Sequence, residues 1–358
     1  MIYRESGQFK TSYRADSQLF PIFQDKVGVA VILCVALAGV PLFASEYWIN
    51  AILIPFLIFS LAAMGLNFLT GYAGQLSLGS AAFMAVGAYA AYNFQLRIEG
   101  IPFLVSFFLG GCAAALVGVV FGLPSLRIKG FYLAVATLAA QFFVVWCLTK
   151  FPWFSNNSSS GVISAQNLDM FGFSFSTPAS KYLLVLGIVI LMTLAGKNLV
   201  RSATGRSWMA VRDMDVAAEV IGIHLMRTKL LAFAISSFYC GLAGVLYAYC
   251  YLGAVEPDGF SLELSFKILF MVIVGGVGSI LGNFLGSAFI LLLPIFLDIA
   301  LPSVSSLFHL PISQAFISHV QVMVFGCLII FFLIIEPHGL ARLWSIVKEK
   351  LRLWPFPH

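Results

Sequence analysis

Long apolar runs alternate with short polar interruptions along the chain. Runs at about Val27–Phe43, Ala51–Leu69, Pro102–Gly122, Phe131–Leu148, Tyr182–Leu199, Leu230–Tyr251, Ile280–Leu297 and Val320–Ile335 are near the ~18–20 residues a helix needs to cross a bilayer core. In lipid, backbone amides must be satisfied within the segment, so such runs are helices. The ~10-residue alternating segments of a membrane barrel are absent. Two stretches fit less simply. Ser77–Tyr89 is a third span of small-residue character, of the kind that lets helices approach closely. It follows Gly71–Ser77, which reads either as tight packing or as a broken, re-entrant piece lining a cavity. Leu264–Val277 is short for a full span and joins the next run through Gly275, Gly276 and Gly278. The fold class is therefore an all-α polytopic membrane protein of about ten transmembrane segments, with both termini cytoplasmic and room for broken or re-entrant segments. Residues 1–26 form an N-terminal tail, 27–335 the membrane domain, and 336–358 a basic C-terminal tail.

The polar interruptions orient this layout. With ten spans and both ends inside, every basic residue except Arg97, Lys150, Lys181 and Lys267 falls on the inner side, out of 20 Lys and Arg in the chain. That obeys the positive-inside rule. The net charge of +5 is thereby explained by topology, and nucleic acid is not implied. The longest interruption, 200–229, is inner. It carries Arg201, Arg206, Arg212, Arg227 and Lys229 with Asp213, Asp215 and Glu219, and its apolar residues Trp208, Val211, Val216, Val220 and Ile223 recur at roughly helical spacing. A short amphipathic helix there suits docking of a partner. The outer loop Lys150–Lys181 is polar, nearly uncharged, and has room for a short helix.

Composition narrows the chemistry. The chain is 61% hydrophobic and 10% charged, against about 25% charged in soluble domains. It has no G-x-x-x-x-G-K-[ST], H-E-x-x-H or G-x-S-x-G motif, so no catalytic residue, bound cofactor or metal site is assigned. The six cysteines sit in apolar runs as packing residues. His309 and His319 flank an outer loop and read as surface polar groups. No span holds paired carboxylates, which weighs against a stand-alone proton-coupled transporter; Lys267 and Asp298 lie near helix ends, where side chains snorkel. A pathway without an energy source, beside a docking segment, suggests a permease driven by a separate ATPase.

Three blocks carry a family resemblance: Gly65–Tyr89 (GLNFLTGYAGQLSLGSAAFMAVGAY), Gly205–Ile223 (GRSWMAVRDMDVAAEVIGI) continuing into Thr228–Ile235, and Val274–Gly286 (VGGVGSILGNFLG), with Gly130–Leu138 as a weaker fourth. In this order they resemble the permeases of high-affinity branched-chain amino acid ABC transporters, LivM type, over most of residues 50–298. The resemblance implies one half of a transmembrane pair with a LivH-like permease. Two cytoplasmic ATPase subunits would use ATP below, and a periplasmic binding protein would deliver substrate above, at a bacterial inner membrane. It also implies that 205–223 is the coupling helix. Asp215, Ala217, Ala218, Glu219 and Gly222 resemble the E-A-A…G loop of importer permeases, with Asp at the usual Glu position, and Arg212 stands just before it. Ala217 and Ala218 would allow close approach, and Gly222 would end the helix. Gly71, Gly74, Gln75, Ser77, Gly79, Gly275, Gly276 and Gly278 are the candidates for the translocation path. Ser158–Gly161 stands where relatives often carry a Thr-Gly-Gly run. Urea, amides or aromatic acids are alternative substrates within the family, and a secondary transporter or channel is the alternative outside it.

Overall fold

The computed structural model describes residues 11–12, 23–98, 100–126, 130–158, 162–164, 169–170, 173–175, 177–308, 314–335 and 339–353. Arg4, Lys10, Arg14, Arg127, Lys129, Ser159–Gly161, His309 and most of the N-terminal tail lie outside them.

Ten helices follow the apolar pattern among the described residues: α1 (23–43), α2 (Trp48–Tyr72), α3 (Ser80–Arg97), α4 (Phe103–Gly122), α5 (Phe131–Lys150), α6 (Pro178–Arg201), α9 (Leu225–Leu252), α10 (Leu262–Gly275), α11 (Ile280–Phe308) and α12 (Gln314–Ile335). Between α6 and α9 lie α7 (Ala203–Asp213) and α8 (Asp215–Val220), and α13 (Gly339–Leu353) closes the chain. Seven of the described helices are long and apolar enough to cross a membrane. At 14 residues, α10 is about 21 Å long, short of a ~30 Å hydrocarbon core.

Local chemistry sets several ends. Thr177 caps α6 by accepting from the Ser180 amide, and Pro178 follows in the first turn, where its fixed φ is already helical. α9 stops at Gly253, which takes a left-handed conformation (φ 71°). The helices α6 and α9 begin four or five residues before their apolar runs, at Pro178 and Leu225, because helix hydrogen bonding does not stop at the edge of the apolar sequence.

The core is built on α2 and α9. α9 packs against α2, α3 and α4, and α2 against α6, α10 and α11. Small residues make this possible: a Cβ on Gly87 would strike the Gly241 backbone, and one on Gly286 would strike Met271 O. α2 is correspondingly sheathed, with Ile54, Ile58, Leu61 and Met64 inaccessible.

Four sequence expectations are corrected. The third span begins at Ser80 rather than Ser77 and runs past Tyr89 to Arg97, so 73–79 is a true break. The 205–223 block is two helices, because Met214 is extended (φ −160°, ψ 99°). Among its described residues the Lys150–Lys181 loop forms two-residue strands and no short helix: β1 (Ile163–Ser164) pairs antiparallel with β4 (Ala254–Val255), and β2 (Asp169–Met170) with β3 (Phe173–Ser174). The C-terminal tail folds into the amphipathic α13.

Candidate functional site

The break after α2 leaves backbone amides that its own helix cannot satisfy. Buried side chains from other helices take them. Leu78 N–H donates to Thr137 Oγ1 (2.9 Å), Ala81 N–H to Ser265 Oγ (3.0 Å) and Ala82 N–H to Gln141 Oε1 (2.6 Å). Gln141 Nε2 in turn donates to Phe260 O (2.8 Å), just before α10. The starts of α3 and α10 are thus tied to α5 through three buried polar residues. None of the three belongs to the sequence-derived site. Thr137 stands inside the weak Gly130–Leu138 block, whereas Gln141 and Ser265 carry no local signal beyond being polar in an apolar run.

A second knot lies at the other end of the break. Asn67, fully buried in α2, accepts from Gly278 N–H at Oδ1 (2.8 Å) and donates through Nδ2 to Ser279 O and Asn283 Oδ1 (both 3.0 Å). Gly71 lies one turn on, so close to Asn67 and Gly278 that a Cβ would collide with both. Arg212 of α7 donates from Nη1 to Gly71 O (2.9 Å), and its Nε reaches Asp213 Oδ1 (2.9 Å). Gly74 (φ 67°) packs against the Arg212 side chain, where a Cβ would stand 2.8 Å from Cγ. The glycine segments of the first and third blocks therefore meet at the first helix of the second.

The candidate path residues do not all gather there. Gly71, Gly74 and Gln75 join Arg212 and Gly278. Gln75 and Arg212 line a polar cavity of about 360 Å³ with Leu133, Asp213, Asp215 and Lys229. Gln75 is 5% exposed, and neither end of its amide has a hydrogen-bond partner among the described residues. Gly79 instead packs against Thr137 O, and Ser77 Oγ accepts locally from Gly79 N–H. Gly275 sits in the α10–α11 crossing against Gly282 and Gly286. Gly276 (φ 116°) faces Gly339 of α13. A larger cavity of about 650 Å³ between α3, α4 and α5 is almost wholly apolar.

The polar block divides its two faces between α7 and α8. Trp208 is fully buried in α7, with Nε1 donating to Thr228 O (3.1 Å) and its ring 6.2 Å from that of Phe68. Val211 is buried beside it. In α8 only Ala218 is buried, while Ala217, Glu219 and Val220 face outward, Val220 at 83% exposure, and Asp215 is half-buried at the first turn. Gly222 (φ 89°) closes α8. Its N–H donates to Glu219 O (3.0 Å), and Ile223 N–H donates to Ala218 O (2.9 Å), the paired bonds of a Schellman turn. The apolar stripe of the sequence is therefore split: Trp208 and Val211 fasten α7 to the protein, Val216 and Val220 present α8 outward, and Ile223 is half-buried.

Residues 48–335 match the family model described as the permease component of branched-chain amino acid transport systems. The chain is 30% identical over 246 residues to the high-affinity branched-chain amino acid transport system permease protein LivM of Escherichia coli K12, covering 62% of this chain and 57% of that protein. The same figures hold for LivM of Salmonella typhimurium. A probable LivM of Methanocaldococcus jannaschii is 25% identical over 338 residues, 85% of this chain and 96% of that one. The chain thus spans a little over half the length of the two enterobacterial relatives. No solved structure matches it.

Proposed function

The chain belongs to the family of branched-chain amino acid transport system permease components, and from that footing we propose that it is the LivM-type membrane subunit of an ABC importer for branched-chain amino acids. It works beside a LivH-like permease in a bacterial inner membrane. Two ATPase subunits use ATP on the cytoplasmic side, and a binding protein delivers substrate from the other. The subunit catalyses nothing itself.

The observation that carries this reading is the Arg212–Gly71 bond. It fastens the polar block to the break of α2, and through Asn67 to the Gly278 turn. α8 offers the ATPase an exposed apolar and acidic face made of Val216, Glu219, Val220 and Ile221. Closure of the ATPase pair on ATP displaces α7 and α8 together. Arg212 passes that displacement to the Gly71 carbonyl. Gly74 and Gly278, both at positive φ, absorb the backbone rotation as hinges do. The α3 and α10 helices, tied at their starts through Gln141, tilt as one, and the pathway changes the side to which it opens. Gln75 is the side chain we assign to the inner end of that pathway, with Gly71, Gly74 and Gly278 shaping its wall.

Co-expressing the chain with its neighbouring transport genes in a host lacking leucine uptake tests the substrate. Accumulation of labelled leucine, isoleucine and valine is expected, dependent on ATP and on the binding protein. Accumulation of urea or an aromatic acid instead would overturn the substrate assignment, and uptake without an ATPase would overturn the class.

A further inference from the structure

The mechanism above leaves α13 unused. This helix follows α12 across three residues, and its residues separate by face. Leu340, Leu343, Trp344 and Val347 recur at i, i+3, i+4 and i+7, which places them on one stripe. Its sequence holds Arg342, Lys348, Lys350 and Arg352 against Glu349 alone.

Two attachments fix how α13 lies. At its first residue, Gly339 abuts the Gly276 turn, where a Cβ would stand 2.5 Å from Gly276 N and 2.7 Å from Val274 O. Nine residues on, Lys348 Nζ meets both Asp25 carboxylate oxygens at 2.9 Å, and Asp25 stands in the first turn of α1. The Gly276 turn is on the face that carries Arg212, through Gly278 and Gly71. A helix held at both points, about 13 Å apart along its axis, lies across the inner ends of the spans. Past Leu340 its apolar stripe leaves the protein: Leu343, Trp344 and Val347 are 42%, 52% and 47% exposed.

We propose that α13 is a lipid-reading helix that rests on the anionic phospholipid surface of the inner leaflet. Leu343, Trp344 and Val347 enter the boundary between headgroups and acyl chains, and the basic flank, Lys350 foremost, meets lipid phosphates. Three features select this occupant. The excess of basic residues complements anionic headgroups. A basic amphipathic helix with a Trp on its apolar stripe has the composition of one that lies in the interface plane. The helix also begins four residues after the end of α12 and is pinned at the level of the span ends. Because Gly339 abuts Gly276, lipid that holds α13 also holds the turn between α10 and α11.

The test uses the full chain with its native cysteines replaced, carrying a nitroxide at Leu343→Cys or Ser345→Cys. It is reconstituted in vesicles of phosphatidylcholine alone or with one-third phosphatidylglycerol. With phosphatidylglycerol, the 343 label should become several-fold more accessible to oxygen than to a water-soluble nickel complex, while the 345 label stays open to nickel. Combining Lys350→Glu with Arg352→Glu should abolish the lipid dependence with the thermal midpoint unchanged. A 343 label equally open to nickel in both vesicles would overturn the proposal. So would one closed to both reagents, in isolation or only after an ATPase subunit is added, since a protein surface would then cover the stripe. Because the lipid comparison is made on unaltered charges, it stands even where the double variant fails to fold.

Discussion

Arg212 shows what one side chain adds beyond its own helix. Its bond to Gly71 O joins residues 141 apart in sequence, so no local pattern announces it, and the residue enters the sequence reading only as a neighbour of the E-A-A-like stretch. Replacing it by Ala leaves a partly buried carbonyl without its donor, a loss of about 1–3 kcal/mol. The expected outcome of Arg212→Ala is uncoupling: uptake falls about tenfold or more, within the 5–150-fold range typical of site-to-site coupling, while ATP hydrolysis by the assembled transporter falls much less. Parallel uptake and hydrolysis assays in proteoliposomes check it. Gly222 is the opposite case, legible in the sequence because a helix-ending glycine is a local signal. A Cβ there meets nothing within 4 Å, so the cost of Gly222→Ala is that of the left-handed backbone alone, about 1–2 kcal/mol. Membrane insertion and yield should hold while uptake drops, as read by quantitative blotting beside transport assays.

Among the elements, the breaks were legible and their supports were not. Glycine density between Gly71 and Gly79 marked a discontinuity, and the length of Leu264–Val277 marked α10 as a partial span. Thr137, Gln141 and Ser265, which satisfy the freed amides, read in sequence as isolated polar residues in apolar runs, because their role depends on where three helices meet. Gln141→Leu removes the acceptor of Ala82 N–H and the donor to Phe260 O together. At ~1–3 kcal/mol for each buried group left unpaired, the purified protein in detergent should lose several degrees of thermal midpoint. The split of the polar block into α7 and α8 was illegible for a related reason: the extended backbone of Met214 has no signature in residue type. The apolar spacing of α13, Leu340, Leu343, Trp344 and Val347, is present in the sequence, but in so short a segment its basic residues read first as a topology signal.

At the scale of the whole molecule, the charge asymmetry predicts which face meets the cytoplasm, and contacts among the described residues gather the elements of that face together. Lys348 pairs with Asp25, and Arg212 meets the Gly71 and Gly278 turns, so the polar block, α13 and the α10–α11 turn share one side. The sequence-derived order of helices holds throughout the described residues. What it could not provide is the direction in which α8 points, because amphipathic spacing does not say which part of a stripe packs inward. In the structure Trp208 is buried and Val220 exposed, so the outward face of α8 is the surface on which the proposed docking of an ATPase is tested. Crosslinking tests that directly. With Val220→Cys in the co-expressed transporter, a short bismaleimide should join the chain to the ATPase subunit, the yield should change with ATP, and Trp153→Cys on the outer loop should give no such product. If Val220→Cys forms no ATPase adduct in a complex that still transports, α8 is not the docking helix, and the path from it through Arg212 to the membrane breaks has no driver.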